Sequence, residues 1–373
     1  MTRGKESGLE ARLRGKRVLV CVGAGGVGKT TTSAAIALGL AARGEKIAVV
    51  TIDPARRLAA ALGLGELSGE PRQIDPALLA AQGVTPPGEL WAMALDVKRT
   101  FDEIVTRLAP DARSREEILA NPIYRELSSA VAGVQELGAV TKLYELYREH
   151  NFDVIVLDTP PSRNALDFLE TPGRLLGFLE GRALKVFLSP GGLAARVFGR
   201  STGLVFAIFS RVTGVDMLGE LSSFFRSLSG IIDGFGERTR GVAELLREES
   251  TSFLIVTSPE PEPAREAVFL ASKLTAAGMA RDGVIVNRVH LHGLDGHSTE
   301  ELSGLLASDL GDSLARRVAH NLADFDVLVR RDRDTIALLS REVDEPAPVI
   351  VPHLDQDIQD LAGLSRIAEH LFA

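Results

Sequence analysis

Six short runs of the chain are apolar at nearly every position: Arg17–Val22, Lys46–Ile52, Asp153–Leu157, Ser252–Thr257, Gly283–Asn287 and Pro348–Val351. A half-exposed strand would show a polar residue at every second place, so runs of this kind predict strands of a parallel sheet covered on both faces. Helical patterns lie between them, for example Thr30–Ala42, Glu262–Ala277 and Ile358–Phe372. The alternation predicts a doubly wound, mostly parallel α/β sheet. Two regions break it. Gly63–Leu90 is rich in Gly and Pro and reads as a long irregular excursion. From about residue 97 to 250, the strand near 153–157 apart, spacings of three and four dominate. They link Leu127, Val131, Val134, Leu137, Val140, Leu143 and Tyr147, and then Leu218, Leu221, Phe225, Leu228, Ile232 and Phe235. The expected organisation is an α/β domain in two parts, 1–96 and 251–373, with a helical subdomain of 97–150 and 165–250 between them. The strand at 153–158 belongs to the sheet.

The strongest local signal is Gly23-Ala24-Gly25-Gly26-Val27-Gly28-Lys29-Thr30, a full match to G-x-x-x-x-G-K-[ST] between a predicted strand and a predicted helix. Glycines let the main chain wrap a phosphate with its N–H groups inward, and the following helix adds a positive end. The expected phosphate contacts are Gly23, Gly25, Gly26, Val27, Gly28, Lys29, Thr30 and Thr31. Lys29 would reach the β- and γ-phosphates and Thr30 would ligate Mg²⁺. Asp53 and Asp158 end predicted strands at the carboxyl edge of the sheet, where ligands bind in open α/β folds. Either is a candidate for metal or water, with helix capping as the alternative. A late strand ends Val286-Asn287-Arg288-Val289-His290, with an amide but without the carboxylate that reads guanine. An asparagine amide can pair with adenine, which favours ATP.

Composition narrows the classes. The 373 residues are 45% apolar and 25% charged, ordinary globular proportions that exclude a disordered or low-complexity chain. With 42 basic against 50 acidic residues the net charge is −8, which argues against nucleic acid as a partner. The excess of Arg and Lys in the first 20 residues reads as a solvated leader. Cys21 is the sole cysteine and lies in an apolar run, where it is expected as a small buried residue. One cysteine allows neither an internal disulfide nor a thiolate metal site. The start of the chain has no apolar signal region, and no run approaches the ~18–20 residues that span a bilayer. A soluble cytoplasmic protein, not an integral membrane protein, is expected.

At this point the residues resemble a known family, the ArsA-type ATPases of the dimeric phosphate-loop class, which includes the arsenite-pump ATPase and the guided-entry ATPase for tail-anchored proteins. The likeness rests on GAGGVGKTT at 23–31, IDPARRLAAALG at 52–63, LDTPPSRNALDFLE at 157–170, IVNR at 285–288 and VPHLDQDIQDL at 351–361. It implies a Mg²⁺-dependent ATPase whose face-to-face dimer closes on ATP and couples closure to a hydrophobic client or membrane-protein partner. It also implies that Lys29 and Asp53 are catalytic, Asp53 by orienting water. Asp158 would support Mg²⁺ through water and sense the γ-phosphate. Asn287, with the backbone around Pro352 and His353, would hold adenine.

The chain departs from the family in three places. Ala24 stands where the family usually carries a second, signature lysine that reaches the partner's phosphates. A homodimer then lacks that charge, unless Arg56 or Arg57 replaces it. A heterodimer with a related, lysine-bearing subunit is the alternative, with this chain as its weakly active nucleotide-binding half. The single cysteine leaves no arsenite thiolate site and no zinc pair. His290, His292 and His297 share a loop with no rigid element to fix them as ligands. Eight of the fifteen phenylalanines fall between Phe178 and Phe235, with Met217 the one methionine there. Both a subdomain core and a groove for a hydrophobic helix client fit that pattern. A partition or cell-division positioning ATPase ranks last, because the C-terminal helix DIQDLAGLSRIAEHLFA lacks the basic character needed to hold DNA or membrane.

Overall fold

The computed structural model describes residues 8–52, 57–122, 124–125, 128, 134–160, 177, 231–294, 296–354, 358 and 360–373. They fall in two compact units, one drawn from Met1–Ala94, Asn151–Leu166 and Arg247–Ala373, the other from Leu95–His150 and Asp167–Leu246.

The first unit is built on an eight-stranded sheet of order β3-β4-β2-β5-β1-β6-β7-β8. The strands are β1 (Val18–Val22), β2 (Lys46–Thr51), β3 (Arg72–Gln73), β4 (Glu89–Ala94), β5 (Val154–Asp158), β6 (Thr251–Thr257), β7 (Arg281–Val289) and β8 (Val349–Pro352). All neighbours are parallel except β3, which runs antiparallel to β4. The doubly wound, mostly parallel architecture read from the alternation is therefore present, and each of the six expected runs supplies a strand. β1, β5 and β6 are buried at every position, as a sheet covered on both faces requires.

The excursion at Gly63–Leu90 is more regular than expected. It holds β3 and the helix Pro76–Ala81, and it leads into β4, which pairs with β2 from Lys46↔Glu89 to Thr51↔Ala94. The signal in ELWAMA is weak because Glu89 and Trp91 are half-exposed, the indole N–H donating to Glu89 Oε2 at 2.9 Å. Gly88 lets the chain enter here. A Cβ at that position would stand 2.2 Å from the Glu45 carbonyl oxygen.

The helices of this unit are α1 (Leu9–Leu13), α2 (Lys29–Ala41), α3 (Arg57–Ala61), α4 (Pro76–Ala81) and, after four helices of the second unit, α9 (Pro261–Ala276), α10 (Thr299–Leu310), α11 (Asp312–Glu342) and α12 (Leu361–Phe372). The residues of α2 are small or apolar and buried nearly all round, so it is a core helix and not a surface one. It packs on α12, which presents Leu361, Leu364, Ile367 and Leu371 at helical spacing. Asp360 caps α12 by accepting from Gly363 N–H at 2.7 Å. Each such Leu or Ile buried contributes roughly 1.5–3 kcal/mol, and the cluster around α2 continues onto Leu19, Val49, Val156 and Leu254 of the sheet. Ser298 and Glu301 form a reciprocal capping box at α10, whose chain turns at Gly311 into the 31-residue α11.

The second unit contains α5 (Val97–Leu108), α6 (Ala112–Ala120), α7 (Val134–Glu149) and α8 (Ile232–Leu245). Val140 and Leu143 of the expected apolar stripe are buried on α7. Leu127, Val131, Leu218, Leu221, Phe225 and Leu228 lie outside the described residues, as do all of the clustered phenylalanines except Phe235, whose ring lies 6.3 Å from that of Phe101. An ionic network runs through this unit. The Lys142 side chain, 2% exposed, donates to Glu145 Oε1 at 2.8 Å and to Glu103 Oε2 at 3.3 Å, and Arg107 bridges Glu145 and Glu149. Removing one partner of a buried pair strands the other, at about 3–5 kcal/mol. Because Arg107 still serves Glu145, Lys142→Ala is expected at the low end, about 3 kcal/mol in urea unfolding. The double change Lys142→Met/Glu145→Leu is expected to recover most of that loss. Equal stability of the single variant and the wild type would show the network to be energetically idle. Among the described residues no helix is long and apolar enough to cross a membrane.

Candidate functional site

The site begins where β1 ends. Buried Val22 leads into the glycine loop, and Gly28 closes the loop as the residue before α2 with φ +92° and ψ +26°. That left-handed conformation suits glycine, and space demands it too. A Cβ on Gly28 would lie 2.3 Å from Asn287 Nδ2. No side chain caps α2, so the N–H groups of its first turn and the positive end of its dipole are left for a ligand.

Lys29, the first residue of α2, is buried and folds back along the loop. Its Nζ donates to the carbonyl oxygens of Gly23 at 3.0 Å and Ala24 at 2.7 Å. Burial pulls its pKa below the usual lysine range, and the carboxylate of Asp158 works in the opposite direction. Asp158 ends β5, level with Cys21 of β1 on one side and Thr51 of β2 on the other. Its Oδ2 accepts from the Thr30 hydroxyl at 2.7 Å and from the Thr51 hydroxyl at 2.9 Å. The parallel register thus brings a carboxylate and two hydroxyls together from three separate segments. Hydroxyl and carboxylate oxygens are the donors a hard cation such as Mg²⁺ takes, so this pair fits such an ion. Cys21 is fully buried beside it, and burial pushes its thiol up to about 12. A thiol held protonated in this way is neither a nucleophile nor a metal ligand.

β7 braces the loop from the other side. Asn287 is 7% exposed and its Nδ2 donates to the Val27 carbonyl at 2.9 Å, while its Oδ1 accepts from Arg288 N–H at 2.9 Å. Arg288, at φ +61°, reaches the Gly26 carbonyl at 3.0 Å. Two adjoining clefts open over the loop and share Gly28, Thr31, Arg57, Arg288 and Ile358. The smaller, of about 450 Å³, is also lined by Lys29, Thr30 and Thr159. The larger, of about 880 Å³, adds Asn287, His290, Pro352 and His353.

The residues Gly23–Thr31, Asp158, Asn287, Pro352 and His353 are therefore gathered at one edge of one sheet. Asp53 and Arg56 lie outside the described residues. Thr51, Arg288, Arg331 and Asp332 carried no role in the sequence reading. A strand-ending threonine or a charged pair within a long helix has no local signature, and only the pairing register and the placement of α11 mark them out. Among the described residues no group of three or more His, Cys, Asp or Glu is arranged to hold a metal ion.

A family model described as anion-transporting ATPase matches residues 16–295. The chain is 30% identical over 279 residues to a protein of Aquifex aeolicus named as an arsenical pump-driving ATPase, covering 73% of this chain and 63% of that protein. It is 30% identical over 157 residues to the ATPase GET3 of Malassezia globosa, covering 42% of this chain and 43% of that protein. With the ATPase ASNA1 homolog of Dictyostelium discoideum the identity is 27% over 282 residues, covering 72% and 70%. The chain spans less than two thirds of the length of the Aquifex and Malassezia relatives. The span matched by the family model starts just before β1 and runs past the end of β7, which makes this chain a member of the ArsA-type family of anion-transporting ATPases.

Proposed function

We propose that this chain is a Mg²⁺-dependent ATPase that holds ATP along the two clefts, phosphates on the loop and adenine toward β7 and β8. The observation that carries the reading is the buried Lys29 ammonium at the uncapped start of α2, with the Thr30–Asp158 pair beside it. In this reading the loop N–H groups and Lys29 neutralise phosphate charge, already oriented before the substrate arrives. Thr30 ligates Mg²⁺ and Asp158 supports the ion through water. An ion held there would supply positive charge to offset the charge that develops on the phosphates during transfer. Asn287 and the backbone at Pro352 and His353 hold the base, with Asn287 also bracing the loop. Asp53 orients the attacking water for in-line displacement.

Asp53→Asn is expected to lower turnover by about 10²-fold or more, because a carboxylate that accepts from water is replaced by an amide. ATP affinity is expected to stay within about threefold, since Asp53 touches water and not the nucleotide in this reading. Undiminished hydrolysis by the variant would remove Asp53 from the mechanism.

The names of the relatives, a pump-driving ATPase and GET3, support a coupled role. ATP would close a dimer, and closure would act on a hydrophobic client or membrane-protein partner from the cytoplasm. Ala24 favours a second reading. Its side chain is 6% exposed and cannot supply a charge across an interface. A related subunit bearing a lysine there would complete the site, or Arg57 on the wall of both clefts would do so. Turnover by the purified chain alone, against turnover after adding a lysine-bearing paralogue, separates the two. A rise of tenfold or more points to the heterodimer.

A further inference from the structure

His290 stands one residue beyond β7 on the wall of the larger cleft, and its surroundings fix it closely. Asp332 of α11 is wholly buried, and through one oxygen, Oδ2, it accepts the His290 backbone N–H at 3.0 Å and meets ring Nδ1 at 2.7 Å. Its other oxygen accepts from Arg331 Nη2 at 2.9 Å and Nε at 3.2 Å. The imidazole stacks on His353, with ring centres 5.2 Å apart and planes at 26°. His353 is anchored in turn, its backbone N–H donating to the Val289 carbonyl at 2.9 Å.

This arrangement exceeds what packing needs. The other buried residues of α11 are Ala315, Ala319, Val329 and Leu339, so Asp332 is the one charged residue that the helix buries. Burying a carboxylate is costly unless it is fully engaged, and here one oxygen is given to the main chain and ring of His290 and the other to Arg331. A carboxylate has only lone pairs to offer, so Nδ1 must carry the hydrogen, and in the neutral ring Nε2 is the acceptor that remains. His290 keeps 19% of its side-chain surface exposed, on the cleft where the base of a nucleotide would lie.

We propose that His290 reads the purine, its Nε2 accepting a hydrogen bond from a 6-amino group, with Asp332 as the positioning residue that sets the tautomer. The inference rests on the nucleotide site proposed above and adds a specificity determinant to it. A 6-amino group donates and satisfies Nε2. A 6-oxo group presents a lone pair to a lone pair and leaves both unpaired in a partly dry site. A site built around a hydrogen bond rejects the analogue that cannot make it far more strongly than a merely apolar pocket does.

The test is calorimetric binding of ATP and ITP, which differ at ring position 6 and its neighbouring nitrogen, to the full chain with Mg²⁺. The wild type is expected to bind ATP about 10–100-fold more tightly than ITP, the span expected when one buried acceptor is left unpaired. His290→Phe keeps a ring for stacking and removes the acceptor, so the ratio is expected to fall at least fivefold through weaker ATP binding. Asp332→Leu, of similar volume, removes the acceptor that holds the hydrogen on Nδ1, so part of the His290 population is expected to carry it on Nε2 instead. The ratio is then expected to fall at least threefold. Nitrogen-15 spectra of the wild-type histidines are expected to show His290 as the Nδ1–H tautomer, and this measurement needs no variant to fold. An Nε2–H tautomer, a wild-type ratio near unity, or a ratio within twofold of wild type in His290→Phe would each overturn the proposal and leave the nucleotide site standing. Absence of binding by either nucleotide to the wild type would overturn both.

Discussion

Lys29→Ala is expected to lower ATP turnover by about 10²–10³-fold, the usual loss when one preorganised donor to developing charge is removed. Lys29 sits at the start of α2 with its ammonium on the Gly23 and Ala24 carbonyls, 3.0 and 2.7 Å away, within reach of any anion seated on the loop. It has been taken out of water before substrate arrives, and its lowered pKa records that burial. Phosphate oxygens would repay the desolvation by replacing weak carbonyl partners with full charges. Lys29→Arg is expected to rescue little, because a planar guanidinium cannot occupy the space of a compact point charge between two carbonyls. Lys29→Ala is expected to keep far-ultraviolet dichroism and melt near the wild type, since deleting a buried cation also deletes its desolvation cost. Steady-state phosphate release checks the first claim. Turnover within threefold of the wild type would mean that the loop serves some other purpose.

Asp158→Asn is expected to lower turnover and raise the Mg²⁺ concentration for half-activation, each by about 10–100-fold, as changes next to metal ligands commonly do. The amide is the same size, and its single oxygen can still accept from the hydroxyls of Thr30 and Thr51 that now reach Oδ2 at 2.7 and 2.9 Å. The fold is therefore expected to survive while the negative charge beside the proposed metal ligand Thr30 is lost. That charge also opposes the burial of Lys29, so the variant's lysine is expected to hold its proton less firmly. Titration of activity with Mg²⁺, starting from chelator-treated protein, reads both effects. An unchanged Mg²⁺ dependence would leave Asp158 as a structural anchor for two threonines.

The segments legible without a structure were those whose function is contiguous in the chain. β1, the glycine loop and the start of α2 form one uninterrupted stretch, and a glycine loop between a strand and a helix needs no distant residue to be recognised. The six expected strands were legible for a similar reason, since each is rich in apolar residues, although β8 at the sheet edge buries only Val351. β4 escaped because only Leu90, Ala92 and Met93 of its six residues are buried, and because β2 is what makes it a strand. Within the site, Asp158 was visible as a strand-ending carboxylate. That Thr51 shares its oxygen was not, because nothing local records that β2 and β5 are neighbours level at that residue.

The class of sheet and the glycine loop with its lysine and threonine are legible in the chain alone, because short-range order and apolar period suffice for these. That Asn287, 260 positions away, locks Val27, and that α11 delivers Asp332 to His290 across 42 residues, is visible only in the folded protein. The reason is physical. Hydrogen bonds between distant segments depend on strand order, register and helix placement, and those are set by how the whole core packs, not by the residues that finally meet.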